Sequence, residues 1–257
     1  MENKSILVTG GAGSIGSEIV RQLVGNKNDI YIIDNNETAF FDLYEELKLK
    51  GTPISGHIGD IRDPNVFNEF TDDAHFDYIF HCAALKHVTP SVQMPMEYVK
   101  TNIHGTFNVM DYAWKHGNRL INISTDKVIN ANSVMGASKK VAEIMVKNAG
   151  QVSVRFGNVL GSRGSVISIW QKQLEENLPL TVTDEKMTRF MMTIPQAVSL
   201  VIEAAKVGKD GEIMILDMGE PVNVLQLAKD ILKKADREEL GVKMIGVRPG
   251  ETLDEKL

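Results

Sequence analysis

A single cysteine, no long apolar run and no excess of basic residues are the first features of this 257-residue sequence. Cys82 lies within the apolar stretch YIFHCAAL, where we expect a lone thiol to pack as a small hydrophobic side chain. One cysteine also excludes a disulfide framework within the chain. The apolar runs are too short to span a bilayer, and the N-terminus has no signal-peptide pattern. The sequence therefore predicts no membrane span and a cytoplasmic location.

Basic residues are too few to predict a nucleic-acid partner. The chain has 28 Lys+Arg against 34 Asp+Glu, a formal net charge of −6, so we expect no basic surface for a phosphate backbone. The six histidines show no spacing typical of metal ligands, with His87 as the one exception left open. We therefore predict no nucleic acid and no metal site.

Short apolar runs alternate with longer amphipathic stretches over the first two thirds of the chain. This alternation predicts helices at about 14–25, 37–50, 64–70, 95–116 and 135–149. It predicts strands at 5–10, 29–34, 54–60, 78–83, 119–125 and 152–159. Repeated strand–helix units are typical of an α/β fold, here a Rossmann-type doubly wound parallel sheet.

The order of elements becomes less regular after residue 160. We predict a helix at IWQKQLEE, a strand at LTVT, a helix from Pro195, a strand at EIMILD and a helix from Val222, followed by KMIGV. These pieces indicate a NAD(P)-binding Rossmann domain over 1–160 and a mainly substrate-binding C-terminal lobe over 161–257. The final TLDEKL has the pattern of a helix start without a stop, which predicts truncation at the C-terminus.

A glycine loop, TGGAGSIG, follows the first strand and precedes a helix. Gly10, Gly13 and Gly16 have the spacing of the short-chain dehydrogenase loop, which needs glycines so that the backbone can approach a pyrophosphate. Asp34 ends the second strand, where a carboxylate accepts from ribose hydroxyls and repels a 2′-phosphate, so NAD is preferred over NADP. The alternative is a tight turn without a ligand. The predicted cofactor-binding residues are Gly10, Gly13, Ser14, Ile15, Gly16, Asp34, Asn35, Asp60, Ile61, Ala83, Ala84, Lys86, Ser124 and Lys139.

The fifth predicted strand ends in Ser-Thr-Asp-Lys at 124–127, at the sheet edge where open α/β sheets bind ligands. Met135 and Lys139 follow on a predicted helix, four residues apart and on one face. In the short-chain dehydrogenase pattern a tyrosine base normally stands at the first of these positions, and methionine cannot carry a proton. Asp126 and Lys127 offer a carboxyl and an amine that suit an elimination. Alternatively, Asp126 caps a turn and Lys127 is solvated.

Six longer segments carry a family resemblance. They are AALKHVTP, STDKVINANSVMGASKK, VRFGNVLGSRGSV, PLTVTDEKMTRFMMTI, LDMGEPVNV and VRPGE. Over nearly the whole chain they resemble the nucleotide-sugar 4,6-dehydratases of the extended short-chain dehydrogenase/reductase superfamily, which act in bacterial polysaccharide and protein-glycan biosynthesis. Met135 resembles one branch of that family, whereas other branches keep tyrosine.

The resemblance implies a UDP-N-acetylglucosamine 4,6-dehydratase, a lyase, whose substrate is that compound or a related UDP-sugar. Such an enzyme oxidises C4, eliminates water across C5 and C6, and returns the hydride to C6, which gives a UDP-4-keto-6-deoxy-N-acetylhexosamine. By resemblance Lys127 removes the C5 proton, Asp126 protonates the C6 hydroxyl and Thr125 binds near O4. Lys139 positions the nicotinamide ribose, and the C4 base is left open at the catalytic position of Met135. The implied substrate-binding residues are Lys86, Asn102, Asn158, Thr181, Arg189, Arg248 and Glu251.

Two other functions compete with the dehydratase. A UDP-sugar 4-epimerase shares the C4 oxidation, but such enzymes usually carry small residues in place of Asp126 and Lys127 and keep the tyrosine. A non-catalytic NAD-binding scaffold is the second alternative, although the presence of Lys139 argues against it. The resemblance also implies a homo-oligomer, a dimer or higher, that pairs through the predicted helices 95–116 and 135–149.

Overall fold

The computed structural model describes residues 1–70 and 75–257, and a seven-stranded sheet forms its centre. The strands are β1 Ser5–Thr9, β2 Asp29–Asp34, β3 Ser55–Ile58, β4 Tyr78–His81, β5 Arg119–Thr125, β6 Val152–Phe156, β7 Asn158–Leu160, β8 Leu180–Val182, β9 Thr188–Arg189, β10 Met191–Thr193, β11 Ile213–Ile215, β12 Val222–Asn223 and β13 Val242–Met244. The central sheet has the order β11-β6-β5-β4-β1-β2-β3, with parallel pairing throughout. The predicted Rossmann-type α/β fold is confirmed.

Helices flank this sheet, and side-chain caps mark where several of them begin. Asn36, Ser133 and Thr193 each accept a backbone N–H from the first turn of the helix that follows. The helices are α1 Ser14–Leu23, α2 Glu37–Leu49, α3 Val88–Gln93, α4 Pro95–Tyr98, α5 Thr106–Lys115, α6 Val134–Asn148, α7 Val166–Glu175, α8 Ile194–Val207 and α9 Val224–Lys234. Short 3₁₀ helices occur at Pro64–Glu69 and Asp126–Val128.

Both faces of the central sheet are buried. Successive strand residues point to opposite faces, so in β1 the side chains of Ile6 and Val8 enter one core cluster while Leu7 enters the other. The same division separates Ile32 from Ile33 in β2. This double burial explains why the strands were visible as short, nearly continuous apolar runs.

The predicted helix 95–116 is interrupted. The structure has α4, then a π-helical segment at Val99–Gly105, then α5. Asn102 lies in the π segment with no solvent exposure, and its side chain accepts the Leu85 N–H (2.8 Å) and donates to the Leu85 carbonyl (2.9 Å). The wider π-helical turn thus occurs where Asn102 makes two hydrogen bonds to the distant Leu85 backbone. Helical periodicity in the sequence does not predict such a contact.

A smaller apolar cluster lies in the C-terminal part, around the fully buried Trp170. There β8 pairs with β13, and β9 pairs with β12. In contrast, β11 joins the central sheet and α8 packs against α1. Residues 161–257 therefore build the smaller lobe and also complete the central sheet, and the division at residue 160 stays a prediction.

Two further sequence predictions need correction. The predicted strand 152–159 splits at Gly157, where a Cβ would lie 2.9 Å from Asp126 Oδ2, and β7 then leaves the central sheet to pair with β10. The final residues 252–257 form no helix. The Arg189 guanidinium instead donates to the carbonyls of Thr252 (2.7 Å) and Leu253 (3.1 Å), which keeps these carbonyls out of a helical turn.

Candidate active site

The glycine loop packs too tightly for side chains. Gly10 has φ +65°, and a Cβ there would lie 2.6 Å from the Ala83 backbone nitrogen. A Cβ on Gly16 would collide with the Gly10 carbonyl oxygen. Gly13 is the N-cap of α1, which begins at Ser14 and continues through Ile15. The first N–H groups of a helix have no partner within it, so this loop presents them to an anion, as a dinucleotide pyrophosphate requires.

Asp34 lies beside this loop at the end of β2 and is 8% exposed. Its Oδ2 accepts the Ala12 N–H and its Oδ1 accepts the Asn36 N–H, both at 2.9 Å. The carboxylate is thus held rigidly at the carboxyl end of the sheet. It fits the predicted contact with ribose hydroxyls.

Asp60 and Asn35 lie close together next to Asp34. Although burial raises the pKa of Asp60, hydrogen bonds from Arg62 and Asn35 and the charge of Arg62 lower it overall. Arg62 also reaches Glu97 at 2.7 Å, so this arginine is already paired with two carboxylates, Asp60 and Glu97. The side chain of Ile61 is buried in the core, and only its carbonyl faces a polar partner, Asn108.

A turn from the second half of the chain also reaches the glycine loop. The Arg163 N–H donates to Ser14 Oγ at 3.1 Å. Ala84 is half-buried and Lys86 is exposed, both in the segment after β4. Partial desolvation is the larger cause of the lowered pKa of Lys86, although its side chain still reaches solvent. The charge of Arg163 lowers this pKa further, so the two side chains lie near each other. The GSRGSV segment was noted in the sequence, but Arg163 was not predicted to lie at this site.

Asp126 and Lys127 form the centre of the site, at the end of β5. Lys127 Nζ lies 3.0 Å from Asp126 Oδ1, 3.3 Å from Asn158 Oδ1 and 2.8 Å from Glu255 Oε1. The Thr125 hydroxyl donates to Asp126 Oδ1 at 2.9 Å. Asp126 is 1% exposed. The structure therefore brings four predicted site residues into contact and adds Glu255, which the sequence reasoning missed.

These charges fix one another's protonation. Burial lowers the pKa of Lys127, but the charges of Glu255 and Asp126 outweigh it and raise the pKa overall. Burial raises the pKa of Asp126, but the charge of Lys127 and hydrogen bonds from its neighbours lower it overall. Burial is the main cause of the raised pKa of Glu255. The ground state is thus a Lys127 ammonium beside an Asp126 carboxylate.

Met135 and Lys139 are both buried on α6. Lys139 Nζ donates to the Ile123 carbonyl at 2.6 Å, on the strand that leads to Asp126. Burial lowers the pKa of Lys139 to about 8, whereas burial raises that of Cys82 to about 12. A thiol with such a pKa stays protonated, in keeping with its expected role as a packing residue.

The hydroxyl of Ser124, a residue predicted to bind the cofactor, contacts a buried carboxylate in this structure. It donates to Glu143 Oε2 at 2.7 Å, and Glu143 is fully buried. Arg155 Nη2 pairs with Glu143 Oε1 at 2.7 Å. This buried ion pair was also missed from the sequence. It ties α6 to β6 behind the reacting centre.

A pocket of about 150 Å³ opens in front of Asp126 and Lys127. Its walls include Asn158, Arg189 and Glu251, three of the predicted substrate-binding residues. Ligand sites for drug-sized molecules usually have roughly 300–1,000 Å³. The space therefore suits the sugar end of a nucleotide sugar rather than the whole molecule.

Other predicted substrate residues lie elsewhere. Asn102 is fully buried, and its amide is used by Leu85 and by Ser138 (3.0 Å), which corrects its assignment. Thr181 lies in β8 and bonds to Gln173 at 3.0 Å, outside the pocket wall. Arg248 forms an exposed ion pair with Glu251 at 2.6 Å, at the pocket rim.

Within residues 1–70 and 75–257, no group of three His, Cys, Asp or Glu side chains is arranged to hold a metal ion. Over the same residues, no helix has both the length and the apolar character that crossing a bilayer requires.

Known proteins resemble the whole chain. The capsular polysaccharide biosynthesis protein CapD of Staphylococcus aureus is 40% identical over 279 residues, which cover 100% of this chain and 45% of CapD. The chain thus spans less than half the length of that relative. A UDP-glucose 4-epimerase of Rickettsia bellii is 34% identical, with 99% of this chain and 77% of the epimerase covered.

Solved structures agree with the fold. Pen from Bacillus thuringiensis has a TM-score of 0.92 and 37% identity, covering 98% of this chain and 82% of its own. The dTDP-glucose 4,6-dehydratase DesIV double mutant from Streptomyces venezuelae, with NAD bound, has a TM-score of 0.85 and 23% identity, covering 96% and 86%. A model of the family described as polysaccharide biosynthesis protein matches residues 6–257. The chain therefore belongs to the polysaccharide biosynthesis protein family.

Proposed function

We propose that this chain is an NAD-dependent nucleotide-sugar enzyme, and specifically a UDP-N-acetylglucosamine 4,6-dehydratase. The observation that carries the proposal is the buried Asp126 carboxylate 3.0 Å from the Lys127 ammonium, beside Thr125 and the sugar-sized pocket. Elimination of water needs one group that takes a proton from carbon and another that protonates the departing hydroxyl. An adjacent amine and carboxyl supply both.

The glycine loop and Asp34 fit a dinucleotide, because a Cβ at Gly10 or Gly16 would collide with neighbouring backbone, so the loop has bare backbone at these positions of the pyrophosphate-binding pattern. Gly10, Gly13 and the start of α1 would hold the pyrophosphate, and Lys139 the nicotinamide ribose. When bound, NAD would accept a hydride from C4 of the sugar and return it to C6. Asp34 is a fixed carboxylate and Arg62 is already paired, so NAD rather than NADP is the proposed cofactor.

The protons balance within this chain's own side chains. Asp126 as a carboxylate accepts the C4 hydroxyl proton, with Thr125 bound near O4. The Lys127 ammonium must first lose a proton to solvent; the free amine then takes the C5 proton, and Asp126 gives its proton to the C6 hydroxyl, which leaves as water. Lys127 then returns a proton to C5. Because Met135 cannot take a proton, the proposal assigns the C4 base to Asp126.

Binding of the nucleotide is assigned to the pocket rim. Arg189 and Arg248 have planar guanidinium groups that match diphosphate oxygens. Asn158 and Glu251 line the same pocket and are proposed as hydrogen-bonding groups for the sugar. Both arginines already contact carboxylates, so substrate oxygens would compete with Glu255 and Glu251 for them.

A UDP-sugar 4-epimerase is the second candidate, because the Rickettsia bellii relative is described as an epimerase. Epimerisation requires no group that protonates a departing hydroxyl. The buried Asp126 next to Lys127 therefore favours the dehydratase.

The test is incubation with UDP-N-acetylglucosamine in deuterated water without added reductant, followed by proton NMR. A dehydratase gives a C6 methyl signal with deuterium at C5. UDP-N-acetylgalactosamine without a methyl signal would support the epimerase instead. Native mass spectrometry shows whether the protein has NAD and UDP bound. If both are bound and NMR detects neither product, both proposed reactions are contradicted.

We also propose that the chain forms a homodimer through α5 and α6. These helices expose Phe107, Trp114, Val141 and Ile144, and apolar side chains on paired helices suit a four-helix interface. Light scattering should give a dimer for the wild type and a monomer for Trp114→Glu. A wild-type monomer would contradict the proposal.

A further inference from the structure

Glu255 places a second carboxylate in the reacting centre. Its side chain is 5% exposed, and its Oε1 lies 2.8 Å from Lys127 Nζ. Its Oε2 accepts a hydrogen bond from Asn158 Nδ2 at 3.0 Å. A buried carboxylate is costly unless it is paired and hydrogen-bonded, and here both conditions are met. None of the sequence motifs singled out this residue.

The charged groups around Lys127 come from several segments. Asp126 lies 3.0 Å from Lys127 Nζ, and Arg189 Nε lies 3.3 Å from Glu255 Oε1. The Asp126 carboxylate also faces Glu255, and after burial this interaction contributes to the raised pKa of Glu255. Glu251, Asp254 and Lys256 also line the pocket. Lys127 therefore has two direct carboxylate partners, one from its own 3₁₀ turn and one from the end of the smaller lobe.

We propose that Glu255 is a positioning residue that holds Lys127 beside Asp126 and controls the pH range over which Lys127 acts as a base. The inference rests on the proposed function in assigning Lys127 the C5 proton. Glu255 stabilises the ammonium that forms when Lys127 takes this proton. It also favours the same ammonium before the reaction, when Lys127 must first be a free amine.

Because Glu255 favours the Lys127 ammonium both before and after proton transfer, Glu255→Gln should change both the pH dependence and the maximum of kcat. Glutamine keeps the shape and an acceptor for Asn158 but removes the charge, so the pKa of Lys127 falls. The acid limb of the pH–kcat profile should then move to lower pH. At the plateau, kcat should decrease several-fold, because the ammonium is no longer stabilised. KM should change less than kcat, and Glu255→Asp should restore part of the wild-type profile.

A second readout does not depend on activity. Acetylation of Lys127 by acetic anhydride, followed by mass spectrometry across pH, reports the fraction of free amine. In Glu255→Gln its midpoint should fall below that of the wild type, and Glu255→Asp should lie between them. The matched control is Glu238→Gln, which removes an exposed carboxylate of the same lobe and should leave both profiles unchanged.

The two proposals fail in different ways. If the wild type makes no dehydrated product, the proposed function is wrong, and the acetylation midpoints still decide the role of Glu255. If Glu255→Gln keeps the wild-type midpoint of Lys127 acetylation, Glu255 does not control Lys127 and the inference is overturned. If Glu255→Gln does not fold, Glu255→Asp provides the test: its pH midpoint of Lys127 acetylation should lie below that of the wild type, and an unchanged midpoint overturns the inference.

Discussion

Replacing Arg155 by methionine would leave Glu143 as a carboxylate without its main partner in the core. The Glu143 side chain has no exposure, that of Arg155 is 7% exposed, and the two meet at 2.7 Å. Breaking a buried ion pair by removing one member costs about 3–5 kcal/mol. The Ser124 hydroxyl (2.7 Å) and Lys140 (3.3 Å) remain near Glu143. We therefore expect a loss of about 3 kcal/mol in unfolding free energy at about pH 8.

The loss should depend on pH. In the wild type, burial raises the pKa of Glu143, but Arg155 and its other partners outweigh this and lower it. A carboxyl group whose pKa is lower in the folded than in the unfolded protein stabilises the folded state at pH values above the unfolded pKa. This stabilisation is lost as the pH falls through the pKa of the folded state. Without Arg155, burial dominates, so Glu143 takes up a proton more readily. The difference between Arg155→Met and the wild type should therefore shrink at about pH 5.

Urea unfolding at both pH values, followed by circular dichroism, measures this difference. Lys206→Met is the control, because Lys206 and Glu203 are both exposed and pair at 2.9 Å, and an exposed pair contributes about 0–1 kcal/mol. A loss below about 1 kcal/mol in Arg155→Met, or one independent of pH, would refute the reasoning.

Three further substitutions test the proposed roles. Lys127→Ala should lose at least ~100-fold in turnover while still binding NAD, as measured by product NMR and calorimetry; full activity would contradict its role as the C5 base. Asp34→Ala should weaken NAD binding by ~10-fold or more in calorimetry, because a charged acceptor is lost; unchanged affinity would refute the ribose contact. Met135→Tyr should fold with a loss of about 1–3 kcal/mol in urea unfolding, and failure to fold would show that the buried site cannot accept the larger side chain.

Local patterns accounted for most of the central sheet. The runs at 29–34 and 119–125 match β2 and β5 at both ends, because strands buried on both faces appear as apolar segments. The glycine loop was equally predictable, because the glycines that its tight packing requires are close together in the sequence. Asp126 and Lys127 were found because they directly follow a predicted strand.

Contacts between distant residues were not predictable in this way. Glu255 lies far along the chain from Lys127, and it lies within TLDEKL, the segment whose pattern predicted a helix start. Asn102 had the spacing of a helical residue, yet its amide is bound to Leu85 in a preceding loop. The partners of Glu143 and Arg155 likewise become neighbours only when α6 packs on β6. The cytoplasmic location stays a prediction.

The assembly of the reacting centre has a consequence for folding. Lys127, Asn158, Arg189 and Glu255 belong to four separate segments, and their contacts close only after the smaller lobe has docked. Long-range contacts of this kind form late, because the loop entropy must be overcome first. During synthesis the sheet strands β1–β6 emerge well before residue 255. We therefore expect catalytic competence to appear only after the central sheet has formed, so that activity reports the docking of the smaller lobe on this sheet.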